Sequence, residues 1–283
     1  MLFRSTIHTD IIKSEIIKLI YSASFIAPPE IKSAFIRMKA EETNPLASET
    51  LKILIENTEI AEKEEIPLCQ DCGSTIVFLE IGQELELEGN YLYDAVNDAV
   101  AEAYKKFYLR KSIVSDPLRR VNTGTNTPAF IHSDIVPGDR LKIDVLLKGG
   151  GSENMSVLRM FRPTDSADLI IDFITESVIK AGPNPCPPLF LGVGIGGTAD
   201  TAMLNSKKAL LRPAGEKHGD PFYAEIEDKI LRKINATGVG PMGFGGRATA
   251  AGVYILTAPT HIASLPVALN MNCHSFRKGE VTL

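Results

Sequence analysis

The amino-acid sequence predicts an α+β fold, in which a helical N-terminal layer precedes a mixture of strands and helices. Apolar residues recur at helical spacing in the first 60 residues, and β-branched runs begin only after Cys69. Beyond that point, strands and helices follow each other without the regular alternation of a doubly wound sheet. The 283 residues are 44% hydrophobic and 23% charged, enough to bury a sizeable core in one domain or two lobes.

The N-terminal layer is predicted to hold three helices. The first carries Ile12, Ile16 and Ile20 on one face, because residues four apart lie above each other on a helix. The second begins at Pro29, since proline is tolerated in the first helical turn. The third is predicted to start at Ser48.

The rest of the chain is predicted to alternate irregularly between strands and helices. The predicted strands are 75–82, 129–132, 141–147, 252–257 and 264–271. The predicted helices are 92–109, 168–181, 199–211 and 222–235. Pro137-Gly138-Asp139 joins the strands 129–132 and 141–147. The strand 75–82 is a run rich in β-branched residues and is predicted to be largely buried.

Charge and hydropathy exclude several classes of protein. The net charge of −5 and the pI near 5.6 argue against a nucleic-acid or anionic-membrane partner. No apolar run approaches the roughly 18 residues of a spanning helix, and the first residues lack a signal-peptide core. With four cysteines and no secretory signal, we expect reduced thiols and a cytoplasmic protein.

Three cysteines stand in turn-forming contexts: Cys69 in PLCQD, Cys186 in NPCPP and Cys273 in NCHS. Such contexts are typical of thiolates held on rigid turns around a soft metal centre, and the three lie too far apart for a zinc finger or a bacterial ferredoxin run. Three thiolates would leave one iron of a cubane cluster without a protein ligand. The pattern therefore favours Lewis-acid chemistry over the alternative, a non-catalytic electron carrier.

Cys69 and Cys72 also form a Cys-x-x-Cys pair, which is a redox or zinc-binding motif in other settings. A redox pair usually opens a helix, whereas a strand follows here, and a second cysteine pair for zinc is absent. We therefore interpret Cys72 as a small buried apolar residue.

Three glycine-rich loops are candidates for binding an anion through backbone amides: 122–127, 148–154 and 243–247. For any one of these loops alone a tight turn is the better interpretation, whereas the three together, beside small hydroxyl and amide residues, suggest donors oriented around an anion. A further match, Gly-x-Gly-x-x-Gly at 192–197, resembles a dinucleotide fingerprint but lacks the βαβ setting. Its better interpretation is close packing of a strand on a helix near Cys186, and a nucleotide-binding module stays a third alternative.

Two further side chains have functional and structural interpretations. His261 precedes the strand that leads to Cys273, and a neutral imidazole there can hydrogen-bond a carboxylate or a water. Arg110 is either a solvated cation at a helix end or a planar fork for a carboxylate.

Taken together, ordered motifs identify a resemblance that runs from about residue 10 to the C-terminus. The motifs are PLCQD at 67–71, VNTGTNTP at 121–128, KGGGSEN at 148–154, NPCPP at 184–188 and GVGIGG at 192–197. They resemble the α-type catalytic domain of the class I, iron–sulfur fumarate hydratases, a family that includes L-tartrate dehydratase. The resemblance implies one catalytic domain over 1–283, built around a cluster site.

The resemblance also implies a cofactor and site residues. The expected ligands of a 4Fe–4S cluster are Cys69, Cys186 and Cys273. The expected substrate-binding residues are Gln70, Arg110 and Gly151, and the expected catalytic residues are Asp71 and His261. One departure is Cys72, where the family often has threonine.

The implied activity is the reversible hydration of fumarate to L-malate, a tricarboxylic acid cycle reaction, with L-tartrate dehydration as the alternative. The loop 243–247 resembles the fumarase branch more closely. Single-chain members of the family continue into a domain that supplies a threonine base and further cationic contacts. Because this sequence ends soon after Cys273, we expect an α subunit that works in a hetero-oligomer with a β subunit.

Overall fold

The computed structural model describes residues 5–283 and confirms the α+β prediction. The helices are α1 (Thr9–Phe25), α2 (Pro29–Glu41), α3 (Pro45–Glu64), α4 (Leu92–Lys106), α5 (Gly150–Glu153), α6 (Ala167–Ala181), α7 (Ala199–Lys208) and α8 (Pro221–Asn235). The strands are β1 (Thr6–His8), β2 (Ser74–Gly82), β3 (Glu86–Glu88), β4 (Phe130–Val136), β5 (Leu141–Lys148), β6 (Val157–Phe161), β7 (Leu189–Gly196), β8 (Ala250–Ala258), β9 (Leu265–Asn272) and β10 (Lys278–Thr282).

The described chain divides into two compact units, each with its own four-stranded sheet. The first unit consists of residues 5–27, 60–150 and 277–283, and the second of residues 28–59 and 151–276. Strand order is β10-β5-β2-β4 in the first unit and β6-β9-β7-β8 in the second. No helix among residues 5–283 is both long enough and apolar enough to span a bilayer.

In the first unit, α1 packs on α4 and on strands β5 and β10. The side chains of Ile12, Ile16 and Ile20 are fully buried, as their spacing predicts. Strand β2 is buried along most of its length, and β5 is buried almost throughout. Burial of these apolar side chains fixes the strands, and the strands in turn fix the positions at which their connecting loops begin and end.

In the second unit, α6 and α8 cover one face of the sheet through Ile174 and Ile230, which belong to the same core cluster as Leu191 of β7. Because strand side chains alternate, Gly192 and Gly194 lie on the opposite face, against α7. A Cβ on Gly192 would stand 1.9 Å from the carbonyl oxygen of Ser206. The glycine match therefore serves strand-to-helix packing, as the sequence predicts.

Helix α3 begins before the predicted Ser48. The Asn44 side-chain oxygen accepts the backbone N–H groups of Leu46 at 2.9 Å and Ala47 at 3.3 Å, and Pro45 occupies the first helical position. This is an N-cap, which satisfies amide groups that the first turn leaves unpaired. The sequence Asn44-Pro45 therefore contains a signal for the start of a helix, and it is stronger than the signal at Ser48.

The strands joined at Pro137-Gly138-Asp139 do not pair with each other. Strand β2 lies between them, parallel to β4 and antiparallel to β5. The short strands β1, β3, β6 and β10 are additions to the prediction, and β10 pairs antiparallel with β5. Each of the four is only three to five residues long, too short for a clear alternating pattern.

Replacing Gly194 with alanine is expected to lower the free energy of unfolding by about 3 kcal/mol, the upper end of typical overpacking costs. The new Cβ would stand 2.0 Å from the carbonyl oxygen of Ala202. Gly219→Ala is the matched control, because its Cβ would meet nothing within 4 Å, and its effect should stay within about 0.5 kcal/mol. Urea unfolding followed by circular dichroism measures both, and equal losses would contradict the packing role of Gly194.

Candidate active site

The segment Cys69–Gly73 forms a turn that enters strand β2 of the first unit. It starts from a fixed point, because the Leu68 N–H donates to the Ser24 carbonyl at 2.9 Å. Gly73 has a φ of +78°, and a Cβ there would stand 2.7 Å from the Lys148 carbonyl oxygen. Only glycine fits this backbone. Along the turn, Gln70 is exposed and Cys69 is partly exposed.

The Asp71 carboxylate is held by two backbone amides of the first unit. Its Oδ1 accepts the N–H of Gly73 at 3.0 Å, and its Oδ2 accepts the N–H of Gly150 at 2.8 Å. Hydrogen bonds from two amides restrict the rotation of this carboxylate. The side chain is partly buried, so it combines a fixed orientation with access to a ligand.

Two buried side chains hold the same turn from behind. The Tyr104 hydroxyl lies 2.9 Å from the Cys72 carbonyl oxygen and 3.0 Å from that of Gly73. Burial raises the pKa of Tyr104 to about 12, which keeps the hydroxyl a donor. The Asn126 amide donates to the Gly73 carbonyl at 3.2 Å, while its oxygen accepts the N–H of Ser112 at 2.7 Å.

Cys72 is buried, as predicted, and joins the turn to the segment that follows α4. Its Sγ accepts the backbone N–H of Arg110 at 3.2 Å. Burial raises the pKa of the Cys72 thiol. This contact places the Arg110 backbone beside the Cys69–Gly73 turn, while the Arg110 side chain is exposed.

In the second unit, the segments carrying Cys186 and Cys273 lie side by side. The His274 N–H donates to the Cys186 carbonyl at 3.2 Å. Cys186 has a φ of 56°, is partly exposed and sits between two prolines, whereas Cys273 is buried at the end of β9. All four cysteines lie within the described residues, and none of them forms a disulfide.

Buried polar atoms without partners flank Cys273. Within the described part of the chain, neither side-chain polar atom of Asn272 has a hydrogen-bond partner, and neither has the Ser275 hydroxyl. Buried polar groups are normally satisfied, so these atoms fit a polar group bound beside Cys273. Among residues 5–283, no three His, Cys, Asp or Glu side chains come close enough together to hold a metal ion.

Gly151 lies in helix α5, next to the turn that carries Cys186. A Cβ on Gly151 would stand 2.9 Å from the Asn184 carbonyl oxygen. Glycine therefore allows the start of α5 to approach the Asn184–Cys186 segment within the second unit. Gly151 itself is exposed.

His261 is exposed and lines a cavity of about 430 Å³ in the second unit. Its Nδ1 accepts the backbone N–H of Ala263 at 3.1 Å, so the neutral ring carries its proton on Nε2. The cavity is also lined by Thr198, Thr201 and Thr260, whose hydroxyls form hydrogen bonds within the protein. The imidazole N–H of His261 is a donor that suits the recognition of a polar ligand.

The loop 243–247 holds an anion that belongs to the chain itself. The Glu42 carboxylate accepts the N–H groups of Arg247 at 2.7 Å and Ala248 at 3.1 Å. Partial burial opposes ionisation of Glu42, but hydrogen bonds from backbone amides outweigh it and lower the pKa. This glycine loop is therefore structural, and the loop 148–154 likewise donates to Asp71.

Residue patterns alone do not single out Tyr104, Asn126 or Arg277 as parts of the site. Tyr104 lies on the apolar face of α4 and looks like a core residue in the sequence. Its only distinguishing signal is that a buried tyrosine hydroxyl needs a hydrogen-bond partner. Asn126 belongs to the VNTGTNTP motif, so its position was available in the sequence. Arg277 is 2% exposed and reaches toward Gly149.

Comparison with known proteins gives consistent matches along nearly the whole chain. A family model described as fumarate hydratase (Fumerase) matches residues 13–282. A Methanocaldococcus jannaschii protein named "Putative L(+)-tartrate dehydratase subunit alpha" is 40% identical over 275 residues, covering 95% of this chain and 96% of that protein. The L(+)-tartrate dehydratase subunit alpha of Escherichia coli K12 is 31% identical over 258 residues, covering 90% and 84%. These matches confirm the resemblance carried by the ordered motifs.

In the folded chain prepared without added metal, Cys72 is expected to react with iodoacetamide more slowly than Cys69 at neutral pH. Burial raises the pKa of Cys72, so little thiolate forms, and its rate should still increase above pH 9. Tandem mass spectrometry distinguishes the two positions. In urea the difference should disappear, and faster alkylation of Cys72 in the folded chain would contradict its buried placement.

Proposed function

The chain belongs to the fumarate hydratase (Fumerase) family, and from this membership we propose that it is the α subunit of an iron–sulfur hydro-lyase for a four-carbon dicarboxylate. The family match over residues 13–282 is the observation that carries the reaction class. The geometry of the first unit adds a carboxylate, Asp71, fixed by two backbone amides.

The first candidate reaction is the addition of water to fumarate to give L-malate, and its reversal. The loop 243–247 favours it by resemblance to the fumarase branch, and the reaction would place the chain in the tricarboxylic acid cycle. The second candidate is the removal of water from L-tartrate, which yields oxaloacetate after the enol rearranges. The names of the relatives at 40% and 31% identity favour that substrate.

The proposed cofactor is a 4Fe–4S cluster held by Cys69, Cys186 and Cys273. The residues fit such a group in kind: the cysteines are not in disulfides, and unsatisfied polar atoms of Asn272 and Ser275 flank Cys273. Thiolates are the ligands that iron–sulfur clusters prefer. When bound, the cluster would supply a Lewis acid that polarises the carbon–oxygen bond.

The proposed work of the protein residues is binding and proton handling. The exposed Arg110 guanidinium offers paired donors to a substrate carboxylate, and Gln70 offers an amide. The amides at the start of α5, near Gly151, offer further donors. Asp71, held as a carboxylate acceptor, can take a proton, and His261 can donate a hydrogen bond from Nε2–H to a substrate carboxylate or a water.

We propose that the active enzyme also contains a β subunit. The support is the naming of the relatives as alpha subunits together with the family pattern, in which a second domain supplies the base that removes the C3 proton. The acidic composition and the four thiols support a cytoplasmic setting.

Serine in place of Cys69, Cys186 or Cys273 is expected to abolish cluster assembly, because a hydroxyl is a poor ligand for a soft metal. The matched control is Cys72→Ser, which should assemble the cluster normally. Iron and sulfide content and visible absorbance after anaerobic reconstitution measure the outcome. Cluster loss in Cys72→Ser, combined with retention in Cys69→Ser, would reverse the assignment of the two cysteines.

The purified chain is expected to be inactive alone and to gain hydro-lyase activity when the β subunit is added. Loss of the conjugated double bond, followed by ultraviolet absorbance, reports on fumarate, and oxaloacetate production reports on L-tartrate. The ratio of kcat/KM for the two substrates decides between the candidates. Full activity of the chain without a second subunit would refute the two-subunit proposal, and inactivity of the complete enzyme on both substrates would refute the proposed function.

A further inference from the structure

Arg277 is a buried cation of the first unit whose side chain is incompletely satisfied. It is 2% exposed, and within the described part of the chain its Nε and Nη2 have no hydrogen-bond partner. Its backbone is fixed, since its carbonyl accepts the Leu147 N–H at 2.9 Å. Leaving donors of a buried guanidinium without acceptors is strongly destabilising, so we expect an acceptor beside Nε or Nη2.

The surroundings of Arg277 identify where that acceptor can lie. Measured from the point where a Cβ would stand on Gly149, Asp71 Oδ2 is 3.3 Å away and Arg277 Nη2 is 3.6 Å away. Both groups therefore lie within 4 Å of the same point beside the Gly149 backbone. They do not form an ion pair with each other in the described structure.

The chemistry of the two groups restricts what can bridge them. A carboxylate only accepts hydrogen bonds and a guanidinium only donates them. A bridging group must accept from Arg277 and donate to Asp71, which a water molecule or a hydroxyl does and an inorganic anion without an O–H group does not. Buried waters are typically found where polar protein groups lack a protein partner.

We propose that Arg277 and Asp71 form a binding site for one water molecule above Gly149, and that Arg277 is a positioning residue for it. The water accepts from Arg277 Nη2 and donates to Asp71 Oδ2. This site gives the Asp71 carboxylate a fixed partner in addition to the amides of Gly73 and Gly150. The link to catalysis rests on the proposed function, because a hydro-lyase consumes and releases water. The existence of the water site is independent of that function.

A matched pair of glycine variants tests the water site by crystallography of the full chain. Gly149→Ala places a methyl group 3.3 Å from Asp71 Oδ2 and 3.6 Å from Arg277 Nη2, against both partners of the water, and should expel it. Gly150→Ala places its Cβ 3.7 Å from Asp71 Oδ2 and not within 4 Å of Arg277, so the water should remain. An ordered water in contact with both groups in the wild type supports the proposal. Absence of that water, or a direct Arg277–Asp71 pair, overturns it whether or not the chain is a hydro-lyase.

Kinetics of the assembled enzyme test the positioning role. Arg277→Met, which has no hydrogen-bond donor, should lower kcat by about 100-fold, the lower end of what positioned proton-transfer groups contribute, with KM little changed. Arg277→Lys should recover part of kcat, because an ammonium still donates a hydrogen bond. A thermal melt of each variant measures folding separately. If Arg277→Met keeps kcat at the wild-type value, whatever its melting temperature, the residue is structural and the positioning role is wrong.

Discussion

The candidate site of the first unit depends on the buried peptide between Cys72 and Gly73. The Tyr104 hydroxyl lies against the Cys72 carbonyl of this peptide and against the next carbonyl, that of Gly73, inside an apolar core that makes any unpaired polar group costly. The peptide fixes the direction of the turn before it, and that turn carries Asp71 and Cys69. Burial of one tyrosine therefore controls how a polar loop is presented to solvent.

The glycine-rich loops show how the chain handles its own negative charge. Amides of the loop 243–247 bind Glu42, and the amide of Gly150 binds Asp71. The two carboxylates differ in use. Glu42 joins the loop 243–247 to the junction between α2 and α3, whereas Asp71 joins the Cys69–Gly73 turn to the start of α5. The same backbone device therefore fixes a loop in one place and orients a carboxylate of the candidate site in the other.

Much of the fold follows from periodicity along the sequence. Ile12, Ile16 and Ile20 predict α1 because their spacing alone defines a buried face. Strand pairing in the first sheet is different, because β4 and β5 both pair with β2, which lies more than 40 residues earlier in the chain. Local sequence patterns do not specify which distant strand is the partner. The features of the candidate site also differ in how far the sequence predicts them. The turn-forming contexts of the cysteines are visible in the sequence, whereas burial of the Arg277 guanidinium is a property of the folded chain.

Strand β10 closes one edge of the first sheet, yet it follows the whole of the second unit in the sequence. During synthesis the apolar strand β5 therefore leaves the ribosome roughly ten seconds before its neighbour, at about 5–20 residues per second. Until then the nascent chain exposes an unpaired, hydrophobic edge, the kind of surface on which chains aggregate. The interleaved order of the two units thus creates a vectorial folding problem, in which the second unit can compact while the first still awaits its last strand.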